Sequence, residues 1–194
     1  MDSDYPFVPW DGPTDARVMV IGERPGYDET RGRPPRPFIG KAGLELFGGW
    51  DDRGDYHAGH WKKWVGVPRE EVRVGNVVPT YRHGENPAPW EIDEWGPACL
   101  HEVRRVGPDY VITFGAHAAR YLLQTDLPMD LLNGCPHWYT HIEGVWSSAI
   151  PIVIPVVHPA YALREPGQQD ALAEGLRAVR RALDGTLAPV RPLG

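Results

Sequence analysis

Two stretches of this sequence begin as runs of buried-strand residues and end abruptly in polar and turn-forming residues. The first runs from Val18 to Glu29 (VMVIGERPGYDE), and the second runs from Val153 to Arg164 (VIPVVHPAYALR). Strands that end in this way place their following loops along one edge of an α/β sheet, where such folds carry their chemistry. The pair therefore constrains both the fold and the position of a functional site.

The rest of the sequence alternates short apolar runs with amphipathic segments. Strands are predicted over 17–21, 72–78, 109–114 and 150–157, and helices over 41–47, 89–106, 116–123 and 168–183. We expect Gly96-Pro97 to kink or interrupt the second of these helices, because proline lacks an amide hydrogen. Such alternation predicts a parallel sheet with helices on both faces. We see no linker and predict a single domain over residues 1–194.

Composition limits the class of protein. A chain of 194 residues with 42% hydrophobic residues can bury a sizeable core, and its net charge of −6 argues mildly against broad electrostatic binding to nucleic acid. A local basic groove is compatible with that charge, since several cations closely follow the first segment: Arg31, Arg33, Arg36 and Lys41. No secretory leader and no apolar run long enough to span a membrane is visible, so we expect a cytoplasmic protein.

Neither the cysteines nor the histidines form a convincing metal motif. Cys99 and Cys135 are the two cysteines, and neither belongs to a CxxC pair. His57 and His60 have HxxH spacing but no obvious third ligand. We therefore predict no metal site.

The two segments contain residues suited to chemistry on a bound ligand. The turn Gly22–Gly26 lets the backbone approach a ligand, although it matches neither a P-loop nor a GxGxxG fingerprint. Asp28 and Glu29 are suited to orienting or deprotonating water or stabilising a cation, or they simply satisfy a helix N-terminus. His158 is suited to donating a hydrogen bond to a bound oxygen, or it caps the sheet as a structural residue.

Five motifs occur in an order and at strand ends that identify a family resemblance. They are GERPGYDE, RPFIGKAGLELF, GNVVP, PDYVITFGAHAARYLL and VVHPAYALR. Together they resemble the uracil-DNA glycosylase superfamily over roughly residues 17–166, and most of all its iron–sulfur family 4. The resemblance implies an α/β fold, a three-layer αβα sandwich with a central four-stranded parallel sheet. It also implies flipping of a nucleotide into a pocket and hydrolysis of its N-glycosidic bond.

The resemblance also implies roles for individual residues. Glu29 corresponds to the acidic residue that orients the attacking water, with Asp28 beside it, and His158 contacts a base oxygen where charge develops. The pocket around the base is implied to comprise Gly22, Glu23, Arg24, Pro25, Gly26, Phe38, which stacks on the base, and Asn76, which reads its edge. The cations expected to contact DNA phosphates are Arg36, Lys41 and Arg164.

Several positions depart from the family pattern. The iron–sulfur cluster needs four cysteines, whereas Thr80 and Trp95 stand in two of those places and no N-terminal pair exists, so we predict no cluster. We expect packing by tryptophans to stabilise this region in place of the cluster. Arg24 stands where the family has a small residue, and it could contact phosphate, pair with Glu23 or Asp28, or bind a charged or bulky base substituent. His83 is comparable with a loop histidine that bonds covalently to the sugar in a related branch, but the basic run that accompanies it there is missing.

These features predict a monofunctional DNA glycosylase, acting as a monomer without a cofactor on uracil or a modified pyrimidine. Two alternatives stay open. One is hydrolysis or transfer on a free nucleoside or nucleotide, which the acidic net charge favours slightly. The other is a nucleic-acid-binding protein that keeps the fold without catalysis, with Arg24 filling the pocket.

Overall fold

The computed structural model of the protein describes residues 5–84, 86–139 and 150–190. Within these ranges, no helix is long and apolar enough to cross a membrane. The strands of the described chain are β1 (Val18–Gly22), β2 (Gly49–Trp50), β3 (Tyr56–His57), β4 (Val72–Asn76), β5 (Tyr110–Phe114), β6 (His137–Trp138) and β7 (Ile152–Val156). Its α-helices are α1 (Tyr27–Arg31), α2 (Lys41–Phe47), α3 (His60–Trp64), α4 (Pro89–Val106), α5 (Ala116–Leu123), α6 (Met129–Leu132), α7 (Pro159–Arg164) and α8 (Gln169–Leu183).

The central sheet has the strand order β4-β1-β5-β7-β6. Strands β4, β1, β5 and β7 are parallel, as the alternation of strands and helices predicted. The prediction of four strands was wrong by one, because β6 adds an antiparallel strand at the β7 edge. Strand β6 has only two residues, His137 and Trp138, which is too short to produce a recognisable alternation.

Successive residues of each parallel strand point to opposite faces of the sheet. On one face, Val20 and Ile112 pack with helices α2, α3, α7 and α8 through residues such as Leu172 and Leu176. On the other face, Met19 and Val111 pack with helices α4 and α5. Burial on both faces explains why the strands are continuous apolar runs, and it confirms the three-layer αβα arrangement.

Helix α4 runs unbroken from Pro89 to Val106 through Pro97, so the expected interruption at Gly96-Pro97 does not occur. Gly96 lies against the helix that follows β5: a Cβ atom there would lie 2.2 Å from Cζ of Tyr121. This close packing between α4 and α5 and the burial of Val103 favour the helix over the break that proline alone would promote.

The segment before β1 covers the outer edge of β4. The backbones of Asp11 and Val74 exchange two hydrogen bonds of 2.8 and 2.9 Å, and Phe7 forms an antiparallel bridge with Thr80. The unpaired backbone groups of an exposed edge strand can pair with another chain. This segment forms hydrogen bonds to the edge of β4 and so covers it. It also brings Tyr5 and Phe7 close to the loop that follows β4.

The four parallel strands end at one edge of the sheet. Gly22 pairs with Asn76 across β1 and β4, and Phe114 pairs with Val156 across β5 and β7. The loops that leave these ends therefore converge, as the two segments of the sequence predicted.

Candidate active site

A cleft of about 900 Å³ opens at the carboxyl edge of the sheet. The predicted residues that line it are Glu23, Arg24, Pro25, Gly26, Asp28, Glu29, Phe38, Lys41, Asn76, His158 and Arg164. Three strand ends, those of β1, β4 and β7, and the segment that leads into α2 thus bring together residues that are distant in the sequence.

Gly22 lies behind the cleft and permits a close approach of two side chains. A Cβ atom on Gly22 would lie 2.4 Å from Oδ1 of Asn76 and 2.8 Å from Cζ of Phe38. The end of β1 must therefore be glycine for Phe38 and Asn76 to meet above it. Asn76 is buried, and its Nδ2 has no hydrogen-bond partner among the described residues.

Phe38 forms an aromatic wall of the cleft. Its ring is stacked on that of His158, with centroids 6.1 Å apart and planes inclined by 26°, and it also contacts Phe47 and Phe114. Its backbone has φ of 58°, which is uncommon for a residue with a bulky side chain. An unusual backbone conformation at the wall of a cleft is typical of a position held for function by its surroundings.

His158 is oriented by the helix that it begins. The N–H of Ala160 donates to Nδ1 of His158 over 3.1 Å, so the neutral ring carries its proton on Nε2. Burial lowers the pKa of His158, and the positive charge of Arg164 acts in the same direction against the opposing effect of Glu23. The ring is therefore a neutral hydrogen-bond donor at physiological pH.

Glu29 is a carboxyl group buried in the cleft wall. Burial raises its pKa from the ordinary value of 4.5 to about 8, against hydrogen bonds from the backbone of Gly26 and Phe38, and the charge of Asp28 raises it further. Oε2 of Glu29 is buried without a hydrogen-bond partner among the described residues. Unsatisfied buried oxygens are uncommon in proteins, and this one identifies a position for a polar ligand atom or a water molecule.

Glu23 is another carboxyl group of the cleft, and it is held by a residue that the sequence interpretation missed. Its Oε1 accepts hydrogen bonds from the backbone N–H of His117 (2.9 Å) and from Nδ1 of the same ring (3.0 Å). Burial alone would raise the pKa of Glu23, but these hydrogen bonds, with the positive charge that His158 and His117 carry when their rings are protonated, lower it below its usual range. In turn Glu23 raises the pKa of His117.

Gly115 makes this arrangement possible. Its φ is 95°, and a Cβ atom there would lie 2.4 Å from Oε1 of Glu23. The segment Phe114-Gly115-Ala116-His117 lies within one of the five motifs that resemble the family, but the sequence interpretation gave no role to Gly115 or His117. A glycine directly after a buried strand, followed by a polar residue in the first turn of a helix, was the signal in the sequence.

Arg24 pairs with Glu91, which was not among the partners considered from the sequence. Nη2 of Arg24 lies 2.6 Å from Oε1 of Glu91, and the two side chains are only 7% and 2% exposed. Nη1 of Arg82 lies 3.7 Å from the same oxygen. Oε2 of Glu91 accepts a hydrogen bond from the N–H of Ala88, so Arg24 is anchored to the start of α4.

The three predicted phosphate contacts lie in different environments. Lys41 begins α2 and Arg164 ends α7, and both are exposed side chains at the cleft. Arg36 is bound to Asp11, with Nη2 2.9 Å from Oδ2, and Asp11 also accepts from Arg69 over 2.8 Å. Arg36 therefore tethers the loop before α2 to the segment before β1. His83 is exposed, and Glu85, in the same loop, lies outside the described residues.

The residues in the places of two cluster cysteines do not fit an iron–sulfur group. Thr80 is buried beside Phe7, and the ring of Trp95 lies 6.0 Å from that of Phe7. Cys99 is buried within α4, and its burial raises the pKa of its thiol to about 12. In the described ranges, no group of three or more His, Cys, Asp or Glu residues could hold a metal ion. His57 and His60 lie instead beside Asp51 and Glu45.

Comparison with known proteins connects this geometry to one family. A model of the Uracil DNA glycosylase superfamily matches residues 9–181. A type-4 uracil-DNA glycosylase of Saccharolobus solfataricus is 29% identical over 178 residues, which cover 91% of this chain and 76% of that protein. The corresponding enzyme of Thermotoga maritima is 28% identical over 156 residues, covering 79% of this chain and 70% of that protein.

Proposed function

The chain belongs to the uracil-DNA glycosylase superfamily, and we propose from this membership that it is a monofunctional DNA glycosylase. Its substrate is a flipped-out uracil or modified pyrimidine nucleotide, and its reaction is hydrolysis of the N-glycosidic bond. The observation that carries the proposal is the neutral His158 ring, which is fixed as an Nε2–H donor beside Phe38 in the cleft that Glu23 and Glu29 also line.

In the proposed complex, the base enters the cleft and stacks on Phe38. The buried Nδ2 of Asn76, which has no protein partner among the described residues, donates to an acceptor on the edge of the base. Uracil and thymine both present carbonyl oxygens there. Desolvated amide donors discriminate strongly against a base that leaves them unpaired.

Bond cleavage leaves the electron pair of the C1′–N bond on the base. Nε2–H of His158 donates to the base oxygen on which this negative charge develops, and a neutral donor does so without needing a proton from solvent. The sugar becomes oxocarbenium-like, and the ionised carboxylate of Glu23 favours that positive charge electrostatically.

Water completes the reaction at C1′. Oε2 of Glu29 is the proposed acceptor for a proton of this water, with Asp28 beside it at the mouth of the cleft. The oxygen of water bonds to C1′, its proton passes to the Glu29 carboxylate, and the released base takes up a proton from solvent. This step needs the ionised form of Glu29, which the raised pKa makes the minority form at neutral pH.

We propose further that Arg24 is a structural part of the pocket wall and not a ligand for a bulky base substituent. Its ion pair with buried Glu91 supports this role. Lys41 and Arg164 are the proposed phosphate contacts at the cleft. No iron–sulfur cluster is proposed, since Phe7 and Trp95 occupy the region with aromatic packing. Purified protein should then lack a visible absorbance band and stoichiometric iron. Monomeric action and the single-domain organisation stay predictions.

Mass spectrometry of the bases released from a panel of natural and modified DNAs tests the proposal. We expect release of uracil or a modified pyrimidine by the wild type. In Glu29→Gln, release should fall roughly a hundred- to ten-thousandfold while DNA binding is retained. Hydrolysis of free nucleosides without release of any base from DNA would favour the nucleoside hydrolase alternative. The net charge of −6 is consistent with that alternative. DNA binding without any release would favour the non-catalytic alternative.

A further inference from the structure

Aromatic rings and arginines, some exposed and some half-buried, form a continuous surface beside the mouth of the cleft. We define this aromatic–arginine surface by six residues: Tyr5, Tyr27, Arg31, Tyr81, Arg82 and Trp90. Tyr27 and Trp90 are each 55% exposed, and Tyr5 is 42% exposed. Exposed aromatic residues that are grouped in this way, unlike singly scattered ones, mark binding sites.

Cations lie against rings throughout this surface. The guanidinium carbon of Arg31 lies 5.5 Å from the ring centroid of Tyr27. The guanidinium carbon of Arg82 lies 5.2 Å from the ring centroid of Tyr5 and 5.8 Å from that of Trp90. Each exposed ring therefore has a positive charge within reach of a ligand that contacts the ring.

The surface is built on well-anchored backbone and begins at the cleft itself. The rings of Tyr27 and Tyr81 lie 5.8 Å apart and are tilted by 52°. The N–H of Tyr81 donates to the carbonyl of Pro6 over 3.0 Å, which holds the segment of Tyr5 beside the loop after β4. Tyr81 and Arg82 also line the cleft, so a ligand that leaves the cleft on this side meets the surface directly.

The chemistry of the surface fits a nucleic acid strand whose bases are unpaired. Every base has a π-face that stacks on Tyr or Trp, and every linkage carries a phosphate that attracts Arg. Bases in a duplex are already stacked on one another and do not present their faces. Two exposed acidic residues, Asp93 and Glu94, lie one helical turn beyond Trp90 on the same side of α4, while Glu91 is buried and paired with Arg24.

We propose that the aromatic–arginine surface binds single-stranded DNA that flanks the nucleotide held in the cleft. The proposal rests on the proposed function only in placing the target nucleotide in the cleft. Stacking on Tyr27 and Trp90 would hold the strand at this exit, and Arg31 and Arg82 would contact its phosphates. The protein would accordingly bind a single strand more tightly than a duplex.

Fluorescence anisotropy with a labelled oligo(dT) strand, and with the same strand paired to oligo(dA), tests this proposal without any base release. Tyr27→Ala and Trp90→Ala should each weaken binding of the single strand by about five- to a hundredfold. Tyr27→Phe and Trp90→Phe keep a ring and should bind as the wild type does. Circular dichroism would establish that each variant is folded.

Trp50→Ala is the matched control. Trp50 is 71% exposed and also lies against a tyrosine ring, that of Tyr56 at 5.2 Å, but it belongs to the β2–β3 hairpin. Its removal should leave binding unchanged. The proposal fails if the alanine variants of Tyr27 and Trp90 bind oligo(dT) as tightly as Trp50→Ala does, or if the duplex binds as tightly as the single strand. A catalytically silent wild type that still shows the single-strand preference would overturn the glycosylase proposal and not this one.

Discussion

Glu23 and Glu29 belong to the same cleft, and their pKa values are displaced in opposite directions. Hydrogen bonds from His117 hold the pKa of Glu23 below its usual range against the effect of burial, whereas burial raises the pKa of Glu29 to about 8. Two carboxyl groups whose pKa values differ in this way take different roles in one reaction. At neutral pH the first is a fixed negative charge, and the second is a protonated group that must ionise to accept a proton.

The rate of base release should therefore rise with pH. Below pH 8 the ionised fraction of Glu29 grows about tenfold per pH unit, and it levels off above its pKa of about 8. Burial lowers the pKa of His158 below its ordinary value of 6.5, so its ring is neutral at neutral and alkaline pH. Single-turnover rates measured from pH 6 to pH 9.5 would check the profile. A flat profile, or one that falls with pH, would contradict the role of Glu29 as proton acceptor.

Glu29→Gln should stabilise the fold at alkaline pH while it removes activity. The wild-type carboxyl stays protonated in the folded protein up to about pH 8, while in the unfolded chain it ionises near 4.5. The free energy of unfolding of the wild type should therefore fall, relative to that of the variant, as pH rises between these values.

Chemical denaturation of both proteins at several pH values measures this difference. The difference should be small at pH 4 and reach up to about 5 kcal/mol in favour of the variant at pH 9. If the unfolding free energies of the two proteins changed with pH in the same way, the pKa of Glu29 would be the same in the folded and unfolded states, which would contradict this prediction.

His117→Ala should impair catalysis most at low pH. The variant loses the hydrogen bond from the His117 ring to Glu23 but keeps the one from the backbone N–H. The effect of burial on Glu23 is then offset by fewer hydrogen bonds, and the pKa of Glu23 rises. The rate should then drop about tenfold for each unit by which that pKa exceeds the assay pH. His117→Gln, which offers an amide donor, should restore part of the loss. A uniform loss at all pH values in both variants would indicate a purely structural role.

The pair between Arg24 and Glu91 should be strongly coupled. Arg24→Met and Glu91→Gln each remove the 2.6 Å ion pair between two buried side chains, which costs about 3 to 5 kcal/mol of unfolding free energy. The double variant should lose much less than the sum of the two. Arg17→Met is the control, because Arg17 and Asp109 form an exposed pair with side chains that are 82% and 41% accessible. Additive losses at Arg24 and Glu91 would show that the pair does not act as a unit.

The parts of the fold that the sequence predicted are those with a local signal. The parallel strands and helix α4 follow from apolar runs and helical spacing, and the cleft follows from where the strands end. Strand β6 was missed because a strand of two residues is too short to show an alternating hydrophobic pattern. The continuity of α4 through Pro97 depends on packing against Tyr121, which no local pattern reveals.

The side-chain pairs of the cleft depend on contacts between distant parts of the chain. Arg24 and Glu91 are separated by 67 positions, and Glu23 and His117 by 94. The identities of these residues were visible in the sequence, but their partners follow only from how β1, α4 and α5 are placed together. The protonation state of Glu29 likewise depends on burial and not on residue type.

Release of a free base from DNA tests the central claim most directly. Wild type, Glu29→Gln and His158→Ala would be incubated at pH 8 with uracil-containing and modified DNAs, and the released bases quantified by mass spectrometry. We expect the wild type to release uracil or a modified pyrimidine. Glu29→Gln should lose roughly a hundred- to ten-thousandfold in rate, and His158→Ala roughly a hundred- to a thousandfold. Release of no base by folded, DNA-binding wild type, or undiminished release by both variants, would contradict the account.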